Sequence, residues 1–288
     1  NAAVFLWGFT GVLGRLITLN ETWLVWYRLL VTTISLWLIY LFARKINKLP
    51  LKSIIFISFI GTLQALHWVC FYGSIKYANV TIALTCLSTS ALLSSFIEPL
   101  LLRKRIDPVE IILGMFAVAG IVIIYNTHLQ FSIGIIIGLL GALLTVIVSV
   151  LNKKIINDFA AENIMLYQLT GGFLGLTILL PVNYYLFPSD QLYPSAMDWL
   201  WLLILSWVCT IFTFYLYIRS LKKISAFTMN LLLTLEPVYG IALAFVLFGE
   251  NKEMSFWFYA GFALITLAVI FHMWRILRPL QKQNILQS

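Results

Sequence analysis

The sequence predicts an all-α integral membrane protein: ten transmembrane helices in two inverted five-helix repeats, with both termini inside. Three observations predict it. Of 288 residues, 61% are hydrophobic and 10% charged, whereas a soluble domain carries about 25% charge. The apolar residues lie in long continuous runs. The Lys and Arg residues between those runs are distributed to one side.

A bilayer core about 30 Å thick needs roughly 20 apolar helical residues per crossing. Cutting the chain at charged or turn-rich breaks gives ten such runs, at 2–19, 22–43, 53–75, 79–102, 109–126, 132–152, 163–187, 198–220, 225–248 and 255–275. The runs are continuous rather than alternating, which favours helices over barrel strands. With the N-terminus inside, the inner loops and tail collect fifteen Lys and Arg, including Arg44, Lys45, Arg103, Lys104, Lys153, Lys154, Lys222 and Lys223. The outer loops keep Lys76 and Lys252, and Arg15 and Arg28 fall at the outer ends of the first two spans. Such a bias is the positive-inside signature of an N-in, C-in chain. It also accounts for the formal charge of +8 without invoking nucleic acid.

The two halves resemble each other. SIKYANV at 74–80 aligns with SLKKISA at 220–226, and the same shift pairs Gln64 with Thr210, His67 with Thr213, Trp68 with Phe214 and Phe71 with Tyr217. Five spans per half is an odd number, so the second half must insert upside down. The organisation expected is a first repeat at 1–126, an inverted second repeat at 132–275 and a cytoplasmic tail at 276–288. Inverted repeats are a transporter architecture, with a site near the midplane between them.

Candidate chemistry follows from polar groups at membrane depth. Glu236 falls near the middle of the ninth span, where a charged carboxylate costs about 2.5–3.5 kcal/mol, so it should face protein or water. It is a candidate to carry a coupling proton or pair with a cationic amine; the alternative is a structural hydrogen-bonding group beside the helix bend at Pro237. Gln64, His67, Trp68 and Phe71 recur at i, i+3, i+4 and i+7, one helical face, bordered by Tyr72. Thr210, Thr213, Phe214 and Tyr217 form the matching face of the eighth span. Facing stripes of aromatic and polar groups suit a cavity for an amphipathic ligand, or aromatic packing between helices. His67 is a second candidate for proton coupling because histidine titrates near neutrality, with a packing role as the alternative. Arg28 could recognise a carboxylate bidentately, snorkel to the headgroups or pair with a neighbouring acid. Glu98, close to Arg103, reads as a salt-bridge or interface residue. Thr81, Thr85 and Ser88 line one face of the fourth span, as a polar path or as hydroxyls bonded back to their own helix. Glycines at 8, 11 and 14 and at 134, 138 and 141 allow close helix approach. Trp7, Tyr27, Gln168 and Tyr239 complete the expected substrate pathway.

The stretch from Leu235 to Glu250, LEPVYGIALAFVLFGE, is similar to the LEPV…LA…LGE stretch in the ninth helix of the drug/metabolite transporter superfamily, EamA type. Trp7-Gly8 and Arg28 also match recurring positions of that family, and the resemblance covers essentially the whole chain. The first half departs from the motif, with Ala91 in place of Pro237 and Arg103-Lys104 in place of Gly249-Glu250. The resemblance implies ten helices in two inverted repeats, a cavity open to one side at a time, and export or exchange of amino acids, metabolites or drugs across a bacterial inner membrane.

The expected function is secondary active transport of a small metabolite, such as an amino acid or a related amphipathic compound, with protons as the candidate coupling partner. Non-enzymatic action is expected, because the chain has no HExxH, GxSxG, paired catalytic acids or GxxxxGK[ST]. No cofactor is expected, and the spacing of Cys70, Cys86, Cys209, His67, His128 and His272 offers no metal site. The rival classes are a receptor or scaffold that does not transport, and an intramembrane enzyme. Oligomeric state is not encoded in any feature of the sequence.

Overall fold

The computed structural model describes residues 2–44, 49–102, 108–188, 191–216 and 236–285, and among them there is no β-strand. The elements are α1 (Ala2–Leu16), α2 (Glu21–Phe42), α3 (Leu51–Tyr77), α4 (Val80–Ser88), α5 (Ser90–Leu102), α6 (Pro108–Thr127), α7 (Ser132–Ile155), α8 (Ala161–Leu186), α9 (Ala196–Ser206), α10 (Glu236–Phe248) and α11 (Phe256–Ile285). A π-helical turn, Trp207–Phe212, continues α9.

Seven of the predicted spans are long and apolar enough to cross a bilayer: Glu21–Phe42, Leu51–Tyr77, Val80–Leu101, Leu129–Ile155, Ala161–Leu186, Ala196–Leu216 and Phe256–Arg275. Shorter helices occupy the other three. α1 has 15 residues, and Ile111–Thr127 and Glu236–Phe248 are short apolar helices. The first half of the predicted ninth span and the 220–226 repeat segment lie outside the described residues. The fourth span is interrupted at Thr89, whose hydroxyl bonds back to the Cys86 carbonyl at 2.6 Å, a contact that competes with regular helix. Its apolar run therefore folds as α4 followed by α5.

The outside of the bundle is hydrophobic. Ile178, Val182, Val246 and Phe256 are each more than half exposed. Water would penalise that surface and lipid does not. The inside is held by close helix contacts. A Cβ on Gly61 of α3 would overlap the Gln168 carbonyl of α8, and Gly120 of α6 and Gly261 of α11 each sit 2.6 Å from the other's carbonyl oxygen when given a Cβ. Such glycines let apolar helices associate by van der Waals contact without a hydrophobic driving force.

One end of the bundle is tied by two carboxylates. Glu250 is fully buried and follows Gly249, whose φ of +66° is left-handed backbone that glycine adopts without Cβ strain. Its Oε1 accepts from the Val80 amide at 3.1 Å, its Oε2 from the Thr81 amide and hydroxyl at 2.7 and 2.6 Å, and Arg15 of α1 pairs with Oε1. The carboxylate thus caps the N-terminus of α4, where orphan amides and the helix dipole favour negative charge. Asp198 does the same nearby: it forms a capping box with Ser195 and accepts from the Thr18 amide and hydroxyl, both at 2.7 Å. At the opposite end Lys153 pairs with Glu98 at 2.7 Å, so Glu98 is an ion-pairing residue with Lys153 as a partner. Arg103 lies outside the described residues.

Replacing Glu250 by Ala strips two helix amides and Arg15 of their acceptor. The expected loss is about 2–3 kcal/mol, by analogy with breaking buried charged hydrogen bonds. It is measured as a lowered unfolding midpoint in detergent; an unchanged midpoint would contradict the capping role.

Candidate functional site

Arg28 lies seven residues into α2, roughly 10 Å along the axis at 1.5 Å per residue, and is 3% exposed. A charge at that depth must be satisfied by protein. Its Nε and Nη2 donate to Thr210 Oγ1 at 3.0 and 2.9 Å, and its Nη1 donates to Tyr72 Oη at 2.9 Å. The guanidinium stacks over the Trp68 ring, 3.8 Å from the centroid, a cation–π contact worth about 2 kcal/mol when desolvated.

The π-helical turn is what presents Thr210. Its hydroxyl donates to the Leu205 carbonyl five residues back at 2.8 Å, a reach matched to the widened turn. With its proton committed there, the oxygen offers its lone pairs to Arg28. Ser206 Oγ donates to the Arg28 carbonyl at 3.1 Å, fixing α9 against α2 one turn away. Tyr72 is fully buried, and its ring fills the space left by Gly14 of α1.

Glu236 opens the described part of α10, where that helix crosses α1. A Cβ on Gly8 would lie 3.1 Å from the Glu236 carbonyl oxygen and 3.2 Å from the Tyr239 Cβ. The Glu236 carboxyl interacts electrostatically with Arg28 and Tyr72 and makes no hydrogen bond to a described residue. The centre therefore joins α1, α2, α3, the π-helical turn and α10.

The stripe on α3 divides between two neighbours. Trp68, with Tyr72 one turn further on, turns to Arg28. His67 instead hydrogen-bonds the Gly141 carbonyl of α7 through Nδ1 at 2.8 Å, a helix-packing contact. Phe71 is buried against the Tyr72 ring at 5.4 Å and lies 3.8 Å from a Cβ placed on Gly11. Gln64 is half-buried. Tyr27 is buried among the rings of Trp26 and Trp199. The Trp7 carbonyl accepts from Thr10 Oγ1 at 2.6 Å, and Tyr239 meets the Phe5 ring at 5.8 Å. Ser88 and Thr85 bond back to their own helix at 2.7 and 2.8 Å, while Thr81 serves Glu250. Gln168 is buried at the α3–α8 contact and Phe214 packs on the core. Tyr217 lies outside the described residues. Thr10 was not singled out by pattern, although it lies one turn from Trp7. Tyr72, the direct Arg28 partner, bordered the stripe at i+4 from Trp68.

A groove of about 360 Å³, lined by Ser35, Leu38, Ile39, Trp207 and Ile211, lies beside α2 and has no charged lining.

A model of the EamA-like transporter family matches residues 2–126 and 132–272. The chain belongs to the EamA-like transporter family. It is a multi-pass membrane protein of the drug/metabolite transporter type, in a family of transporters rather than enzymes. No curated protein matches it. A solved crystal structure, described simply as that of a protein, is similar with a TM-score of 0.61 at 18% identity, over 93% of each chain; that likeness shows a shared fold and nothing of cargo.

Thr210→Val removes the acceptor of two guanidinium N–H groups while keeping the side-chain shape, and should destabilise by about 2 kcal/mol; Thr210→Ser, which keeps the hydroxyl, should lie near the parent. Unfolding midpoints in detergent compare the two, and equal midpoints for Val and Ser would contradict the assigned contact.

Proposed function

We propose that this EamA-like protein is a secondary active transporter that exports or exchanges small metabolites, such as amino acids or related amphipathic compounds. It works by alternating access around the centre at Arg28, Trp68, Tyr72, Thr210 and Glu236. The observation that carries this reading is a buried, cation-bearing polar centre built by helices from both halves of the chain. An ionisable group at membrane depth is costly and points by default to a functional site.

The proposed frame is ten helices, N-in and C-in, in a bacterial inner membrane, as two inverted repeats at 1–126 and 132–275 with a tail at 276–288 on the cytoplasmic side. Helix pairs separated by half the chain support it: α2 hydrogen-bonds α8 through Trp37 and Thr170, α4 meets α10 at Leu84 and Gly240, and α6 meets α11 at Gly120 and Gly261. A pseudo-twofold axis in the membrane plane brings such mates together. Trp7, Tyr27, Gln64, Phe71, Ser88, Gln168, Phe214, Tyr217 and Tyr239 make up the wider pathway in this proposal. Glu236 is the better-placed candidate for a coupling proton, since it is a carboxyl under the electrostatic influence of Arg28 with no hydrogen bond to a described residue. His67, bonded to Gly141, is the weaker one.

The purified protein in sealed proteoliposomes, preloaded with a mixture of the twenty amino acids, should accumulate labelled amino acid by counterflow. A pH gradient should drive uptake, and Glu236→Gln should retain counterflow while losing at least about tenfold of the pH-driven rate, as expected when a proton carrier is removed. Binding without counterflow would return the chain to the receptor class. An unaltered response to the gradient in the Gln variant would remove the proton role.

A further inference from the structure

Two ion pairs tie the two ends of the bundle, and they are related to each other. At one end Arg15 of α1 pairs with Glu250, just past the close of α10, and stacks over the Phe248 ring, 4.5 Å from its centroid. At the other end Lys153 of α7 pairs with Glu98 of α5 at 2.7 Å. Val80 opens α4 at the Glu250 carboxylate. Glu98 lies roughly 27 Å further along that span at 1.5 Å per residue, so the two pairs stand about a bilayer core apart.

In a chain of two five-span repeats, α1 and α7 are the first helices of the repeats. The fourth are the single span made by α4 and α5, Val80–Leu101, and the span that ends in α10. The register that lays Val12-Leu13 on Val150-Leu151 also lays Arg15 on Lys153. Each pair therefore joins a cation near the end of one repeat's first helix to a carboxylate near the end of the other repeat's fourth. A twofold relation requires this reciprocity: where two surfaces meet, their mates meet with the roles exchanged. The close crossings beneath the pairs follow the same exchange. Gly8 of α1 meets Gly240 of α10, and Gly138 of α7 meets Cys86 of α4.

We propose that Arg15–Glu250 and Lys153–Glu98 are the two latches of alternating access, released in turn at opposite ends of the bundle. This rests on the transporter reading and adds to it the residues that shut each end. The latches are unequal. Glu250 is fully buried and also accepts from Val80 and Thr81, whereas the Lys153 side chain is 55% exposed and that of Glu98 26%. A solvated pair holds weakly, while breaking a buried one strands a charge. The Glu98 end is therefore the one that opens at rest. In the N-in frame that end faces the cytoplasm, so cargo loads from there, the sense an exporter needs.

The test is the labelling rate of a reporter thiol behind each latch, in the full chain in lipid nanodiscs, with a small membrane-impermeant maleimide as the probe. Val12→Cys lies one turn inside Arg15, and its mate Val150→Cys one turn inside Lys153; both valines are buried. Labelling of Cys70, Cys86 and Cys209 is subtracted using the same protein without a reporter. With both latches intact, Val150→Cys should label faster than Val12→Cys. Arg15→Gln should raise the rate at Val12→Cys at least about tenfold and lower it at Val150→Cys. Lys153→Gln should lower the rate at Val12→Cys by about two- to fivefold, and the exchanged pair Glu98→Lys with Lys153→Glu should restore it. Lys153 is exposed, so that arm stands even if Arg15→Gln folds poorly. Opposed changes at the two reporters are what a merely structural ion pair does not produce. A rise at both reporters, or a change confined to the nearer one, would overturn the inference. No cargo enters this measurement, so counterflow reports separately: counterflow without opposed labelling keeps transport and removes the latches, and opposed labelling without counterflow keeps the latches and removes the amino-acid cargo.

Discussion

A guanidinium at membrane depth constrains the rest of the bundle. Arg28 cannot be neutralised by releasing its proton, because arginine stays charged, and it cannot reach water from a site that is 3% exposed. The bundle therefore has to bring acceptors to it from other helices. That requirement accounts for three local irregularities. α9 widens into a π-turn so that Thr210 faces α2. Tyr72 takes up space on α1, where Gly14 accommodates its ring. Trp68 turns its face to a cation when it could have packed on another ring.

The same logic governs the end of the bundle that holds Gly249-Glu250. α1 stops at Leu16, short of its apolar run, because the chain there has other obligations: Lys76 donates to the Ile17 carbonyl and Thr18 donates twice to Asp198. The Gly-Glu motif that carries the family resemblance has a plain physical role. Its glycine adopts the left-handed turn after α10, and its glutamate delivers a carboxylate to the amide end of α4 and to Arg15. A motif that caps a helix in this way is indifferent to cargo.

The sequence made the membrane class and the positions of the helices legible, since apolar length and Lys/Arg bias act through the bilayer and need no tertiary knowledge. Helix ends were less legible. The break at Thr89 and the π-turn at Trp207 depend on local hydroxyl bonding that hydropathy does not register. Of the site, Arg28, Trp68, Thr210 and Glu236 were visible as polar or aromatic groups out of place in apolar runs. Which neighbour each faces was not. An i, i+3, i+4, i+7 stripe spans an arc wide enough to touch two helices, so His67 could sit on it and still bond Gly141. Glu250 was hidden for the opposite reason: a carboxylate at a helix end is ordinary in sequence, and only the fold reveals that it is buried.

α1 connects these two regions. Its Gly8 meets α10 at Glu236, its Gly11 meets α4 at Val80 and Phe71 of α3, and its Gly14 meets Tyr72. Beyond them Arg15 holds Glu250 and Thr18 holds Asp198. Interfaces this close are not continuously deformable; they hold one packing or exchange it for another. A shift of α1 that frees Arg15 from Glu250 must also move Gly14 past the Tyr72 ring, and Tyr72 hydroxyl is the Nη1 partner of Arg28. Under the transporter reading proposed above, opening that end and rearranging the centre would be one event mechanically. In a carrier that works by alternating access, such coupling is what ties the state of the site to the side on which it is open.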